Sequence, residues 1–264
     1  MTIALFIFGM LALGAGVGVI SAALGLGGGI LMVPAFITFV PGIDAHTAKG
    51  TSLFIIIFVA ALNTWRLNRG HRDRHWDVAA AMAAGSIVGG YLGAWITAQL
   101  SDETVIWIYI AFLLIAALRT FLIQPAPVRP ENIRRRNGVA ALIGAGAGAV
   151  GGGTGTGGGL LMVPLSLMAG IITNERVVAL SNSVMVATAI AGSVAHVTAE
   201  KTVDFPWTLG HISFALAPLV FIGSQLGAPW GQRLERHLTL QRRKLIMGIL
   251  LLAISVRLVY QVLR

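Results

Sequence analysis

Long apolar runs with almost no charged residues constrain the fold more than any other feature of this sequence. The first run, IALFIFGMLALGAGVGVISAAL at 3–24, has no charged side chain. Several such runs reach the roughly 20 residues that a helix needs to cross a bilayer. Only 11% of the residues are charged, whereas soluble domains carry about 25%. Because a backbone in lipid must satisfy its own hydrogen bonds, the sequence predicts an all-α polytopic membrane protein.

The net charge of +9 raises the question of a nucleic-acid partner. However, the basic residues lie in short loops between apolar runs, which is how a polytopic protein sets its orientation. The lipid bilayer is therefore the predicted partner, and nucleic acid is not. The chain has no cysteine, which removes disulfides and cysteine-based metal sites. No histidine pair has metal-ligand spacing on one helix, so no cofactor or metal is predicted.

The sequence contains an internal duplication. Four blocks of the first half recur in the second half in the same order and at similar spacing, with a shift of 130 residues at the glycine-rich block. The matching blocks are GLGGGILMVP (25–34) with GGGTGTGGGLLMVP (151–164), the glycines at 14, 16 and 18 with those at 144, 146 and 148, AKGTS (48–52) with ALSNS (179–183), and IVGGYLGA (87–94) with FIGSQLGA (221–228).

Each repeat is predicted to contain a segment that runs into the glycine block, a short helix and three full-length helices. The predicted boundaries are a first repeat at 1–124, a basic cytoplasmic linker at 125–137 and a second repeat at 138–264. The predicted helices lie near 3–24, 30–40, 47–65, 77–98 and 104–123 in the first repeat, and near 138–156, 160–172, 177–199, 207–228 and 244–262 in the second.

The distribution of charge predicts that the two repeats have opposite orientations. The loop at 65–76 and the linker at 129–136 are strongly basic, so both are expected in the cytoplasm. In the second repeat, the loop equivalent to 65–76 is the nearly neutral segment 199–206, and the basic loop is instead 231–244. Corresponding loops therefore fall on opposite sides of the membrane. Inverted repeats with interrupted helices near the membrane centre are a recurring transporter architecture.

The glycine blocks have two interpretations. Small residues let membrane helices pack closely, and this suffices for the alternating glycines at 14–18 and 144–148. In the runs Gly27–Gly29 and Gly151–Gly159, each glycine costs a helix about 1 kcal/mol, so the helix is predicted to break. A short helix that begins after the break presents free N–H groups and a positive dipole end to an anion. A nucleotide loop is excluded because no Lys-Ser/Thr pair follows the glycines.

Proline follows each glycine run and is predicted to fall in the first turn of the short helix, where its missing N–H needs no partner. The two positions are Pro34 and Pro164. Two short helices brought together by an inverted repeat would face one central cavity, which makes the two breaks the predicted halves of one anion site. Helix packing remains the alternative interpretation of both runs.

The paired G-x-GGG-[IL]-L-M-V-P blocks, followed by AKGTS in one half and ALSNS in the other, resemble the sulfite exporter TauE/SafE family, also called the TSUP family. The resemblance covers nearly the whole chain. It implies a multi-pass transporter of the bacterial inner membrane that moves small sulfur-containing anions. Relatives that import thiosulfate use cysteines along the path, and this chain has none. Sulfite or an organosulfonate is therefore the favoured substrate.

The carboxylates support an anionic substrate. All ten lie in predicted loops or at predicted helix ends, whereas proton- and sodium-coupled transporters commonly place a carboxylate inside the membrane. Their absence from the spans also argues against carboxylate-mediated proton coupling. Outward movement of an anion across an inside-negative membrane is favourable by about 2.3 kcal/mol per charge per 100 mV, so export as a uniport is feasible.

Polar residues within the apolar segments are the candidate ligands of the anion. Lys49 is predicted to attract the anion toward the cavity, with snorkelling to the outer interface as the alternative. Hydroxyl and amide groups can donate to sulfonyl oxygens or bond back to their own helix. The predicted substrate-binding residues are Gly27, Gly28, Gly29, Lys49, Thr51, Ser52, Asn63, Gly157, Gly158, Gly159, Ser181, Asn182, Ser183 and Gln225.

Five of the six histidines are expected at the interface or in loops: His46, His71, His75, His211 and His237. His196 is expected closer to a membrane surface than Gln225, and for both residues a ligand contact and a helix–helix contact remain as alternatives. The main hypothesis is a secondary exporter of a sulfur-containing anion. An anion channel with the same site and a non-transporting scaffold remain as alternatives, and a homodimer is left open. An enzyme lacks support because the sequence has no cysteine and no intramembrane carboxylate pair.

Overall fold

The computed structural model describes residues 3–24, 29–70, 76–122, 133, 136–203, 205 and 207–263. In this part of the chain there are ten helices and one two-stranded antiparallel hairpin. The helices are α1 (Ile3–Leu24), α2 (Gly29–Phe39), α3 (Ala45–Asn68), α4 (Trp76–Ala98), α5 (Asp102–Leu122), α6 (Asn137–Thr154), α7 (Gly159–Met168), α8 (Val177–Val197), α9 (Ala217–His237) and α10 (Leu240–Val262). The strands are β1 (Thr208–Leu209) and β2 (Ile212–Ser213).

Six of the described helices are long and apolar enough to cross a membrane: α1, α3, α4, α5, α8 and α10. The helices α2 and α7 are shorter and apolar, as the sequence predicted. Large apolar side chains remain exposed on the outward faces, for example Phe8, Ile115 and Val256. These faces suit lipid rather than water. The prediction of an all-α polytopic membrane protein is confirmed.

The helix predicted near 207–228 is wrong at both ends. The segment 207–213 forms the β1–β2 hairpin, in which Gly210 has a φ of 54° and allows the tight turn. The hairpin docks on the end of α8 because His211 N donates to His196 O over 2.9 Å. Helix α9 starts only at Ala217 and continues into the basic segment, to His237. Hydropathy alone did not separate a buried hairpin from a helix.

The break in the second glycine run is shorter than predicted. Helix α6 continues through Gly151, Gly152 and Gly153 and ends at Thr154. These glycines are packing positions, since a Cβ at Gly152 would lie 2.1 Å from the carbonyl oxygen of Gly90 on α4. The break occupies 155–158, and α7 begins at Gly159. In the first run, Gly29 begins α2, whereas Gly27 and Gly28 lie outside the described residues.

The two prolines lie inside the short helices, not in the first turn where the sequence analysis placed them. Pro34 is the sixth residue of α2, and Pro164 is the sixth residue of α7. A proline at this depth leaves the carbonyl four residues earlier without its helical donor. In α2 that carbonyl belongs to Ile30, and it accepts a hydrogen bond from Tyr109 Oη of α5 over 2.6 Å. A side chain of α5 thus replaces the missing backbone bond.

Close backbone contacts at glycine join helices from the two halves of the chain. A Cβ at Gly14 of α1 would lie 2.4 Å from the carbonyl oxygen of Val220 on α9. A Cβ at Gly144 of α6 would lie 2.0 Å from the carbonyl oxygen of Met82 on α4. The packing interpretation is confirmed for Gly14, Gly18, Gly144 and Gly148, and it is wrong for Gly16 and Gly146, where a Cβ would meet nothing within 4 Å. The α1–α9 and α4–α6 pairs are reciprocal, as an inverted duplication requires, and the inversion itself stays a prediction.

Two alanine substitutions on α6 test this packing. Gly144→Ala is expected to destabilise the protein, because overpacking costs about 1–3 kcal/mol and the obstructing atom is a backbone oxygen. Gly146→Ala is the matched control, since a Cβ there meets nothing within 4 Å, and it is expected to leave stability unchanged or slightly raised. Thermal unfolding in detergent measures both. Equal midpoints for the two variants would contradict close packing of α6 on α4.

Candidate anion site

A cavity of about 440 Å³ lies where the two short helices begin. Its wall includes Ile30 near the start of α2 and Gly159 and Leu160 at the start of α7. From there it extends to Arg66 and Gln232 near the carboxyl ends of α3 and α9. The positive-inside rule assigns this end to the cytoplasm. The cavity therefore connects the predicted cytoplasmic side with the starts of α2 and α7.

The start of α7 has the features expected of an anion-binding helix terminus. Gly158 is its N-cap, with a φ of 82° and no side chain that could cap the helix. The first N–H groups of a helix have no intrahelical acceptor, and they carry the positive end of the dipole. Ser181 of α8 stands next to this terminus, since a Cβ on Gly159 would lie 3.4 Å from Ser181 Oγ.

Three predicted amide side chains come together in the cavity wall. Asn63 Nδ2 of α3 donates to Asn182 Oδ1 of α8 over 3.4 Å. Gln225 Oε1 of α9 accepts from Arg66 Nη1 over 3.3 Å. All four side chains line the cavity. The structure thus brings together Asn63, Asn182 and Gln225, which are far apart in sequence.

Among the described residues, two arginines supply the positive charge of the cavity wall, and neither was predicted as a ligand from the sequence. Arg66 is exposed at the predicted cytoplasmic end, and Arg119 of α5 is half-buried. Arg119 Nη1 donates to the carbonyl oxygen of Leu160 over 2.9 Å, the carbonyl that Pro164 leaves without a helical donor. The signal in the sequence was the single cation in the apolar run of α5, but it was weak because an arginine near a helix end commonly snorkels to the interface.

The acidic residue of the cavity wall does not cancel this charge. Glu235 lines the cavity near the end of α9 and forms a salt bridge with Arg243 of α10, which is not a wall residue. Among the described residues, the wall therefore holds two arginines and one carboxylate whose charge is already paired. The cavity is suited to an anion rather than to a cation.

Lys49 lies outside the cavity wall, on the other side of the break. It is 0% exposed, so the snorkelling interpretation is wrong. Its Nζ donates to Thr97 Oγ1 of α4 over 3.1 Å. A Cβ on Gly155 would lie only 2.9 Å from Lys49 Cα, which places the lysine backbone directly against the break. The amino group of Lys49 is therefore buried behind the segment that ends the cavity.

The hydroxyl groups that follow Lys49 bond to the protein backbone. Ser52 Oγ donates to the carbonyl oxygen of Gly155 over 2.8 Å, and Thr51 Oγ1 accepts from Ser213 N over 3.0 Å. Ser183 bonds back to the carbonyl of Ala179 within α8 and does not line the cavity. Among the other predicted site residues, Gly157 and Gly158 lie in the break, and Gly27 and Gly28 lie outside the described residues.

Three histidines form a buried cluster beyond the break, at the end predicted to face outward. His211 lies in a loop as expected, in the turn between β1 and β2, whereas His46 lies in the first turn of α3, and both are buried, at 1% and 3% exposed. His196 joins them from α8, with its Nδ1 3.1 Å from His211 Nδ1. Burial, together with the neighbouring His46, lowers the pKa of His211 to about 4. The His211 imidazole is therefore neutral at pH 7.

Comparison with known proteins agrees with this architecture. The profile of the "Sulfite exporter TauE/SafE" family matches residues 10–258. The probable membrane transporter protein YunE of Bacillus subtilis is 24% identical over 96% of this chain and 97% of its own length. A probable membrane transporter protein of Methanocaldococcus jannaschii is 25% identical over 89% of this chain and 91% of its own length. No solved structure matches the chain. The chain is a multi-pass membrane protein, and it belongs to the sulfite exporter TauE/SafE family of membrane transporters.

Proposed function

We propose that this transporter exports a small sulfur-containing oxyanion, sulfite or an organosulfonate, through the cavity at the glycine breaks. The observation that carries the proposal is the wall of that cavity. It combines Arg66 and Arg119 with amide side chains and with the uncapped start of α7. Guanidinium, amide and backbone N–H groups are all donors to oxyanions, and an arginine can bind two oxygens at once.

The size of the cavity fits such a substrate. A volume of about 440 Å³ holds a small oxyanion with several waters, each of which occupies about 30 Å³ in the liquid. In the proposed binding mode the anion enters past Arg66, meets Asn63, Asn182 and Gln225, and rests at the start of α7. Lys49 adds a fixed positive charge from behind the break, which attracts the anion toward it.

Alternating access is favoured over an open channel. Ser52 bonds to Gly155 over 2.8 Å, and Lys49 Cα packs against the same glycine. These contacts support a barrier between the cavity and the predicted outer end. Gating at this barrier would expose the anion to one side at a time, as in other transporters built around interrupted helices. The same contacts argue against a permanently open channel.

Flux through the purified protein tests the proposal. Proteoliposomes loaded with sulfite, sulfoacetate or methanesulfonate are expected to release the anion with saturable kinetics, faster than protein-free vesicles. Neutral dimethyl sulfone is the matched control and is expected to move at the protein-free rate, because it has sulfonyl oxygens but no charge to attract the arginines. Release of none of the three anions would contradict transport, and it would favour the scaffold. A linear, unsaturable dependence on concentration would favour the channel.

A further inference from the structure

The histidine cluster beyond the break is a second polar centre that the anion cavity does not use. It consists of His46 of α3, His196 of α8 and His211 of the hairpin. The ring of His211 lies 5.0 Å from the ring of His46 and 5.3 Å from the ring of His196, between centroids. Lys49 lies one helical turn after His46 on α3, and so on the same face. Three imidazoles and an ammonium group are thus buried together.

The hydrogen bonds of the cluster leave open proton-acceptor positions. His46 Nε2 lies 3.1 Å from the carbonyl oxygen of Leu100. A carbonyl only accepts, so Nε2 carries the proton and Nδ1 presents a lone pair. When His196 and His211 are both neutral, one Nδ1 donates to the other. One of their two Nε2 atoms then also presents a lone pair. His46 Nδ1 and both Nε2 atoms are buried without a hydrogen-bond partner among the described residues.

Such unpaired buried groups are costly, and in natural proteins they usually have a functional reason. A metal site does not account for them, since no group of three or more His, Asp or Glu side chains in the described part of the chain is arranged to hold a metal ion. An unpaired imidazole lone pair is a proton acceptor, and imidazole is the side chain best suited to exchange a proton near neutral pH.

The charged groups around the cluster define a route from the outer end to the break. Asp44 caps α3 and accepts from Thr202, while Asp102 of α5 accepts from Ala45 N over 2.7 Å. Burial favours the neutral form of Asp44, but the bonds from Thr202 and Thr47 outweigh it and lower its pKa. Asp44 thus stays charged at the outer rim. On the other side, Lys49 packs against the break at Gly155, and its Nζ donates to Thr97 Oγ1 of α4.

Close packing connects the cluster to the anion cavity. A Cβ at Gly50 of α3 would lie 2.3 Å from the carbonyl oxygen of His211 and 3.1 Å from His196 Cβ. Two residues further along the same helix, Ser52 holds Gly155 through a hydrogen bond to its carbonyl oxygen. Only the break at 155–158 separates this region from Gly159, which lines the cavity. A charge added to the cluster therefore acts on the segment that ends the anion site.

We propose that His46, His196 and His211 form a proton-binding site, and that each transported anion moves together with one proton. The proposal rests on the proposed function. The positive charge of Lys49 opposes protonation of neighbouring imidazoles, and an anion that approaches the break offsets this charge. Anion and proton therefore stabilise each other's binding and are carried in the same direction. A second proton is disfavoured because the first adds another positive charge.

The test measures protons and anions in one experiment. Proteoliposomes with a luminal pH dye, clamped at zero potential with potassium and valinomycin, receive an inward gradient of methanesulfonate or sulfite. Methanesulfonate does not titrate near neutral pH, so luminal acidification during its uptake reports carried protons. The expected result is about one proton per methanesulfonate. His196→Asn and His211→Asn keep an amide near the Nδ1 position and are each expected to lower the ratio of protons to anions at least fivefold.

Further variants keep this test decisive. His46→Gln retains a donor for the Leu100 carbonyl and is expected to lower the same ratio. It takes the place of either asparagine variant that fails to fold. His237→Gln is the matched control because His237 is exposed near the end of α9, and it is expected to keep the wild-type ratio. Anion uptake without protons in the wild-type protein would overturn the coupling, and so would variants that keep the wild-type ratio. Absence of any anion flux would instead contradict the proposed function.

Discussion

Replacement of Arg119 by glutamine is expected to reduce anion flux about 10- to 100-fold. The guanidinium of Arg119 lines the cavity and bonds to the carbonyl of Leu160, at the start of α7. Glutamine removes the charge and shortens the side chain, so both the anion and this carbonyl lose a charged donor. Hydrogen bonds to charged groups contribute about 1.5–3 kcal/mol, and about 1.4 kcal/mol corresponds to tenfold in affinity. Sulfite release from proteoliposomes, normalised to folded protein, measures the effect.

Two further substitutions separate the role of the charge from that of the contact. Arg119→Lys keeps a positive charge and a donor but loses the planar fork, so its flux is expected to lie between wild type and Arg119→Gln. Arg257→Gln is the matched control. Arg257 bonds to Thr38 over 3.1 Å and lines a different, apolar groove of about 1480 Å³, so little change in flux is expected. Equal flux for Arg119→Gln and wild type would show that Arg119 is not part of the anion site.

The parts of the fold that were predictable depend on local sequence. The run of apolar residues in α5 or α8 is long enough to indicate a spanning helix by itself, whatever surrounds it. The short helices α2 and α7 follow glycine runs, which mark where the preceding helix ends. The exception, Gly151–Gly153, shows the limit of this reasoning. The contact of Gly152 with Gly90 requires the absence of side chains, so packing outweighs the low helix propensity of glycine.

The parts of the site that were missed depend on tertiary contacts. His211 reaches His196 only because the chain reverses at Gly210 and the hairpin docks on α8. Arg119 near the end of α5 looks like a lysine or arginine that snorkels, and its contact with Leu160 follows from the position of α7. Asn63, Asn182 and Gln225 were predictable because an amide in an apolar helix is costly wherever the helix packs. The cost of burial can be inferred from sequence, whereas the identity of the partner cannot.

Substitution of Gly158 by alanine is expected to abolish most anion flux, because it displaces the start of α7 from the cavity. The φ of 82° at Gly158 costs a residue with a side chain about 1–2 kcal/mol. In addition, the new Cβ would lie 2.4 Å from the carbonyl oxygen of Ala147, and overpacking adds about 1–3 kcal/mol. The break must therefore move to accept alanine. Flux per folded protein is expected to fall at least tenfold, together with a lower unfolding temperature.

Two other glycines with positive φ separate strain from displacement of the helix. Gly42→Ala carries the strain alone, since its φ is 79° and a Cβ there meets nothing within 4 Å. It is expected to lower the unfolding temperature and keep wild-type flux per folded protein. Gly157→Ala adds contact with the flexible Met185 side chain at 3.1 Å, so an intermediate flux is expected. If Gly158→Ala transported as well as Gly42→Ala, the break would be a connection between helices and not part of the anion site. A flux per folded protein that falls in the order Gly42→Ala, Gly157→Ala, Gly158→Ala would place the start of α7 in the transport step. Backbone strain is similar in the three variants, and only the displacement of α7 increases along this series.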